Sequence, residues 1–182
     1  MFTQVQLLQI KNAVMRILHV PGNYSGGILE MAIVADYDIP YEKLRDRCAQ
    51  IAGALKQTDE TFRNVRVNLI KWISDEQVVK EIASLPLLQM GRTFGDYEEY
   101  QAPVKKKSAD KNKKSIDELF RQLKLFYARS KLIIILTDGN YRIVEEQKVQ
   151  EYLNPFLKRK ILLLQPQGNT KYGICIELQQ EQ

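Results

Sequence analysis

Apolar positions along this chain come in two patterns, continuous runs and helical stripes, and the two alternate. Leu132 to Leu136 is five apolar residues in succession, the pattern of a strand covered on both faces. Residues 28–35 repeat it, interrupted by Glu30, and residues 161–164 form a third such run. Between the runs lie stripes at helical spacing. Leu44, Cys48, Ile51 and Leu55 share one face of residues 41–56, with Lys43, Arg45, Asp46, Arg47 and Gln50 on the others. Ile116, Leu119, Phe120, Leu123, Phe126 and Tyr127 form a second stripe behind Ser115 and Glu118, which match a capping box. Residues 65–73 alternate, with Val65, Val67 and Leu69 opposed to Arg66, Asn68, Ile70 and Trp72, as in a strand.

The remaining segments are read the same way. Leu7, Leu8, Val14, Met15 and Leu18 approach a helical stripe over residues 4–18; residues 13–20 also fit a strand, and the helix is the reading adopted. Residues 21–27, with one proline and three glycines, form a loop. Ser74-Asp75-Glu76 is expected to open a short helix carrying Val78, Val79, Ile82 and Leu85, ended by Pro86. Residues 144–158 suit a helix interrupted at Pro155, and residues 172–178 a last strand at the sheet edge. Strands alternating with helices predict an α/β fold of three layers: a mostly parallel, Rossmann-like central sheet with helices on both faces.

Composition narrows the function classes. A chain of 182 residues with 45% hydrophobic and 27% charged residues is expected to form one soluble domain. Residues 1–27 are read as an N-terminal extension of that domain. No apolar run approaches the roughly 20 residues of a membrane span, and the first residues lack the pattern of a signal peptide, so a cytoplasmic location is expected. Cys48 and Cys175 form neither a metal spacing nor a disulfide framework and read as small core residues. His19 is the only histidine, which disfavours histidine-rich metal sites. The net charge of +5 is concentrated in residues 105–114, where six lysines accompany one aspartate. Residues 102–114 therefore read as a lysine-rich disordered insertion, a solvated loop more than a nucleic-acid groove.

Two of the buried runs end on acid. Asp36-Tyr37-Asp38-Ile39-Pro40 follows one, and Thr137-Asp138-Gly139 the other. Carboxyl ends of parallel strands are where open α/β sheets place ligands. An isolated Asp-Gly is more often a simple turn or a helix cap, and Gly139 lets the chain leave the strand tightly.

With Gly91-Arg92-Thr93 between them, these two segments resemble the three loops of a von Willebrand factor A domain. That family has a first strand ending in Asp-x-Ser-x-Ser, a later threonine loop, and a fourth strand ending in Thr-Asp-Gly. The resemblance spans residues 28–178, with the lysine-rich segment as an insertion. It implies a metal-ion-dependent adhesion site, here formed by Asp36, Asp38, Thr93 and Asp138, holding Mg2+ or else Ca2+ or Mn2+. It also implies a protein partner as the ligand, with Tyr37, Arg92, Phe94 and Tyr141 near the rim as contacts. Asp38 and Pro40 stand where the family has its two serines. Pro40 offers no side-chain ligand, and Asp38 would offset more of the ion's charge, so an acidic ligand would gain less. The residues fit a metal-competent rim or a degenerate one kept as scaffold. In the degenerate case the carboxylates need protonation or a cation such as Arg92. The expected function is a non-catalytic interaction or scaffold module. The alternative is a magnesium-dependent nuclease of PIN or NYN type, using Asp36, Asp38 and Asp138 to hold metal and the lysine segment to contact phosphates. Nucleotide-binding glycine motifs are absent from the sequence.

Overall fold

The computed structural model describes residues 2–56, 65–86, 114–153, 160–166 and 174–178. In chain order they form α1 (Gln4–Leu18), β1 (Leu29–Asp36), α2 (Tyr41–Lys56), β2 (Val65–Ser74), β3 (Gln77–Pro86), α3 (Ile116–Phe126), β4 (Leu132–Leu136), α4 (Glu146–Leu153), β5 (Ile161–Pro166) and β6 (Ile174–Leu178). The strands make one six-stranded sheet in the order β3-β2-β1-β4-β5-β6. β1 pairs in parallel with β2 and β4, and β5 in parallel with β4 and β6, whereas β3 runs antiparallel beside β2. The three-layer α/β architecture expected from the alternation of runs and stripes is present, with one antiparallel edge.

Successive strand residues point to opposite faces, and two apolar layers follow from that period. Met31, Ile33 and Ala35 of β1 join Leu132, Ile134 and Leu136 of β4 under α1 and α2. Ala32 and Val34 join Ile133 and Ile135 under α3 and α4, with Ile70 and Trp72 of β2. The central strands have no polar face because both faces are covered. Residues 4–18 are helical, and Ile10, Val14 and Ile17 lie in the first layer, so α1 is part of the domain's own core. A capping box starts it: Gln6 N–H donates to Thr3 Oγ1 at 3.1 Å, and Thr3 N–H to Gln6 Oε1 at 2.9 Å. Cys48 is a free thiol, fully buried. Burial pushes it up to about 12, so it stays protonated. Among the described residues no helix is long and apolar enough to cross a membrane.

Two local expectations are overturned. The helix expected after Ser74 is instead β3, folded back on β2 through a turn at Asp75-Glu76, with Trp72 opposite Val78 and Lys71 opposite Val79. Val78, Val79, Ile82 and Leu85 fit a helical stripe by spacing, but the β-branched pair suits a strand, and a tight turn returns the chain to the open hydrogen-bonding edge of β2. The capping box expected at Ser115 and Glu118 does not form. Ser115 precedes α3 without capping it, because its hydroxyl and its N–H both go to Asp75 at the hairpin tip. Glu118 pairs with Arg121. Of the helix expected over residues 144–158, Glu146–Leu153 is present, and Pro155 lies outside the described residues. The last strand, β6, is at the edge as expected.

Candidate functional site: an acidic rim closed by a lysine

The alternation that sends Ala32 and Val34 toward α3 sends Asp36 the same way, and Ile133 and Ile135 are followed on that side by Thr137. Because β1 and β4 are adjacent and parallel, with Ala35 opposite Leu136, their acidic ends meet at one carboxyl rim. Thr137 Oγ1 donates to Asp36 Oδ2 at 2.6 Å, and Asp138 N–H to the same oxygen at 3.3 Å. Asp38 N–H donates to Asp36 Oδ1 at 2.9 Å. Asp36 is fully buried, and Asp38 and Asp138 are half-buried. One carboxylate oxygen from each of the three lies within 4.8 Å of the others, an arrangement that could hold a metal ion.

Among the described residues, the cation in contact with this cluster is the ammonium of Lys114. Its Nζ donates to Asp36 Oδ1 and, at 3.2 Å, to Asp38 Oδ2. It also lies 4.7 Å from the centre of the Trp72 ring, where the face of the indole attracts a cation. Only 1% of the Lys114 side chain is exposed. Its backbone is fixed as firmly. Lys114 C=O accepts from Arg142 N–H at 3.0 Å, and Ile116 N–H donates to Arg142 C=O at 3.0 Å. Ser115, between them, is bound to Asp75. Lys114 thus closes the lysine-rich segment as a core residue. The rest of that segment, residues 102–113, lies outside the described residues.

Burial pushes the Asp36 carboxyl up from its ordinary value, to about 6. Lys114 pulls the other way, Asp138 adds to the rise, and the bonds from Lys114 and Thr137 oppose it. At neutral pH the carboxylate is ionised and paired with Lys114. Burial is the largest of these effects, so the carboxyl stays above its ordinary value although Lys114 is bonded to it.

The other expected site residues are distributed as follows. Asp138 turns its carboxylate to Asn140, accepting from the backbone N–H at 2.9 Å and from Nδ2 at 3.2 Å. Gly139 takes a φ of +84°, a conformation that glycine adopts without strain, and its N–H donates to Thr137 Oγ1. Tyr37 is buried in the layer beneath α1 and α2, with the Lys71 ammonium 5.4 Å from its ring centre. Tyr141 packs against Trp72 at 5.9 Å between ring centres and donates its hydroxyl to Gln165 Oε1. Tyr37 is thus a core residue, and Tyr141 is partly buried. Arg92, Thr93 and Phe94 lie outside the described residues.

Sequence reasoning passed over two members of the rim. Thr137 stood inside the Thr-Asp-Gly segment, and strand parity alone would have placed its hydroxyl beside Asp36. Lys114 was hidden among five other lysines, and its one distinguishing mark is its place two residues before the start of α3.

No family model, curated protein or solved structure matches this chain.

Proposed function

We propose that this protein is a non-catalytic protein-interaction module of von Willebrand factor A type, working in the cytoplasm, with a modified adhesion site at its acidic rim. The observation that supports this reading is the meeting of Asp36-Tyr37-Asp38 and Thr137-Asp138-Gly139 at the carboxyl rim of adjacent parallel strands, through direct bonds from Thr137 and Asp138 to Asp36. In a doubly wound sheet that rim is where ligands bind. A divalent ion such as Mg2+, Ca2+ or Mn2+ at this rim would need Asp36 and Asp38 oxygens with which Lys114 is bonded.

The reading is tested at the rim. A photo-crosslinking residue replacing the exposed Asn140 should trap a specific protein in the native cell, and adding Asp138→Arg should abolish the adduct while the melting temperature stays close to that of the crosslinker variant. Adducts that persist in Asp138→Arg would count against the rim as the contact. Incubation of the purified protein with single-stranded RNA and Mg2+ or Mn2+ separates this from the nuclease alternative. Intact RNA is expected; cleavage lost in Asp138→Asn would establish the enzyme instead.

A further inference from the structure

We infer that Lys114 is the resident cation of the acidic rim, a covalently attached ammonium in place of an exchangeable divalent ion, and that it excludes such an ion from the native protein. The inference rests on the geometry of the cluster and stands or falls separately from the interaction-module reading.

A carboxylate offers about four lone-pair positions. Asp36 uses them on four donors: the Thr137 hydroxyl, the Asp138 and Asp38 N–H groups, and the Lys114 ammonium. Three of these donors are fixed by the strands and turns that build the rim. The fourth is the one that a metal would have to replace. Asp138 is committed as well, to both nitrogens of Asn140. The residues present therefore do not fit a divalent ion while Lys114 is in place, since a hard cation needs several oxygens at about 2.0–2.6 Å.

Nor does Lys114 swing aside easily. Its stem is buried, its carbonyl is bonded to Arg142, and the next residue is tied to the tip of the β2–β3 hairpin. Its ammonium faces Asp36, Asp38 and the Trp72 ring, with Asp138 the third carboxylate of the cluster. A tethered cation differs from a bound ion in two ways. It is present at every ion concentration, and its coordination cannot be completed by an outside carboxylate, because the head group is not open to solvent.

The experiment is a thermal melt of the full chain with MgCl2, CaCl2 or MnCl2 at millimolar concentration, together with calorimetric titration of MnCl2. The wild type should show no rise in melting temperature and no stoichiometric Mn2+ binding. Lys114→Ala should melt lower in chelator, bind one Mn2+, and regain roughly 5–10 °C when the ion is near 100 times its Kd. Stoichiometric Mn2+ binding to the wild type that disappears in Asp36→Asn would overturn the inference, and so would a folded Lys114→Ala that ignores all three ions. If Lys114→Ala does not fold, a second comparison decides. Lys114→Met should melt well below wild type, and Lys114→Met with Asp36→Asn should recover part of the loss, because the pair removes both charges together. No recovery would mean that Lys114 is held for its packing and not as the site's cation.

Discussion

Asp36 is a carboxyl whose two states are weighed by opposing neighbours. Burial and Asp138 favour the neutral form, and Lys114 and Thr137 favour the ionised one, with burial the largest effect. A carboxyl whose folded value is raised contributes stability that is complete below its unfolded value and is lost as pH rises through its folded value. For Asp36 that window runs from the ordinary 3.8 up to about 6. Relative to Asp36→Asn, which mimics the neutral acid and does not titrate, the wild type should lose stability between pH 4 and pH 7. The change should be on the order of 3 kcal/mol, from about two pKa units. Urea unfolding of both proteins at several pH values measures it, and a difference that stays flat with pH would contradict this account of Asp36. The same residue shows how far a motif can be read. Asp36 and Asp138 were legible as acids at strand ends, because a run of apolar residues closed by Asp is visible in one dimension. Their companion Lys114 is 78 positions away from Asp36 in sequence, and only its place just before α3 sets it apart from the neighbouring lysines.

At the scale of elements, polar side chains at loop junctions fix how helices meet the sheet. Asp117, on the first turn of α3, is buried and accepts the N–H groups of Val144 at 3.0 Å and Glu145 at 2.7 Å. Those are backbone donors just before α4, so one side chain joins the two helices that cover the same sheet face. Asp117→Ala removes two hydrogen bonds to a carboxylate and should cost about 1–3 kcal/mol, because Val144 and Glu145 lie at the surface, where water can take over part of the bonding. Chemical denaturation would read it, and a cost below ~0.5 kcal/mol would show that water replaces the carboxylate. Element type was largely legible from period alone: α1, α2, α3, β1, β2, β4 and β5 follow their stripes and runs. The failure was β3. Valine and isoleucine spaced as in Val78, Val79 and Ile82 satisfy either period over so short a span, and the choice was made by the open edge of β2, a partner that local spacing does not contain.

Across the whole molecule, stability should be graded from the middle of the sheet outward. β1 and β4 are adjacent, parallel, and buried on both faces, so their amides open only with global unfolding. Hydrogen exchange should be slowest in Leu29–Asp36 and Leu132–Leu136 and faster in the edge strands Gln77–Pro86 and Ile174–Leu178. Equal protection at centre and edge would contradict this grading. The rim inherits its rigidity from those two strands, since Asp36 ends one and Thr137 follows the other. By itself the sequence determined that this chain folds as layered α/β with acids at the ends of two buried strands, because periodicity and burial are properties of neighbouring residues. Only the tertiary structure decided that β3 turns back as an edge strand and that the rim is closed by a lysine. Both depend on which distant groups are left unpaired when the layers close: the hydrogen-bonding edge of β2 and the charge of Asp36.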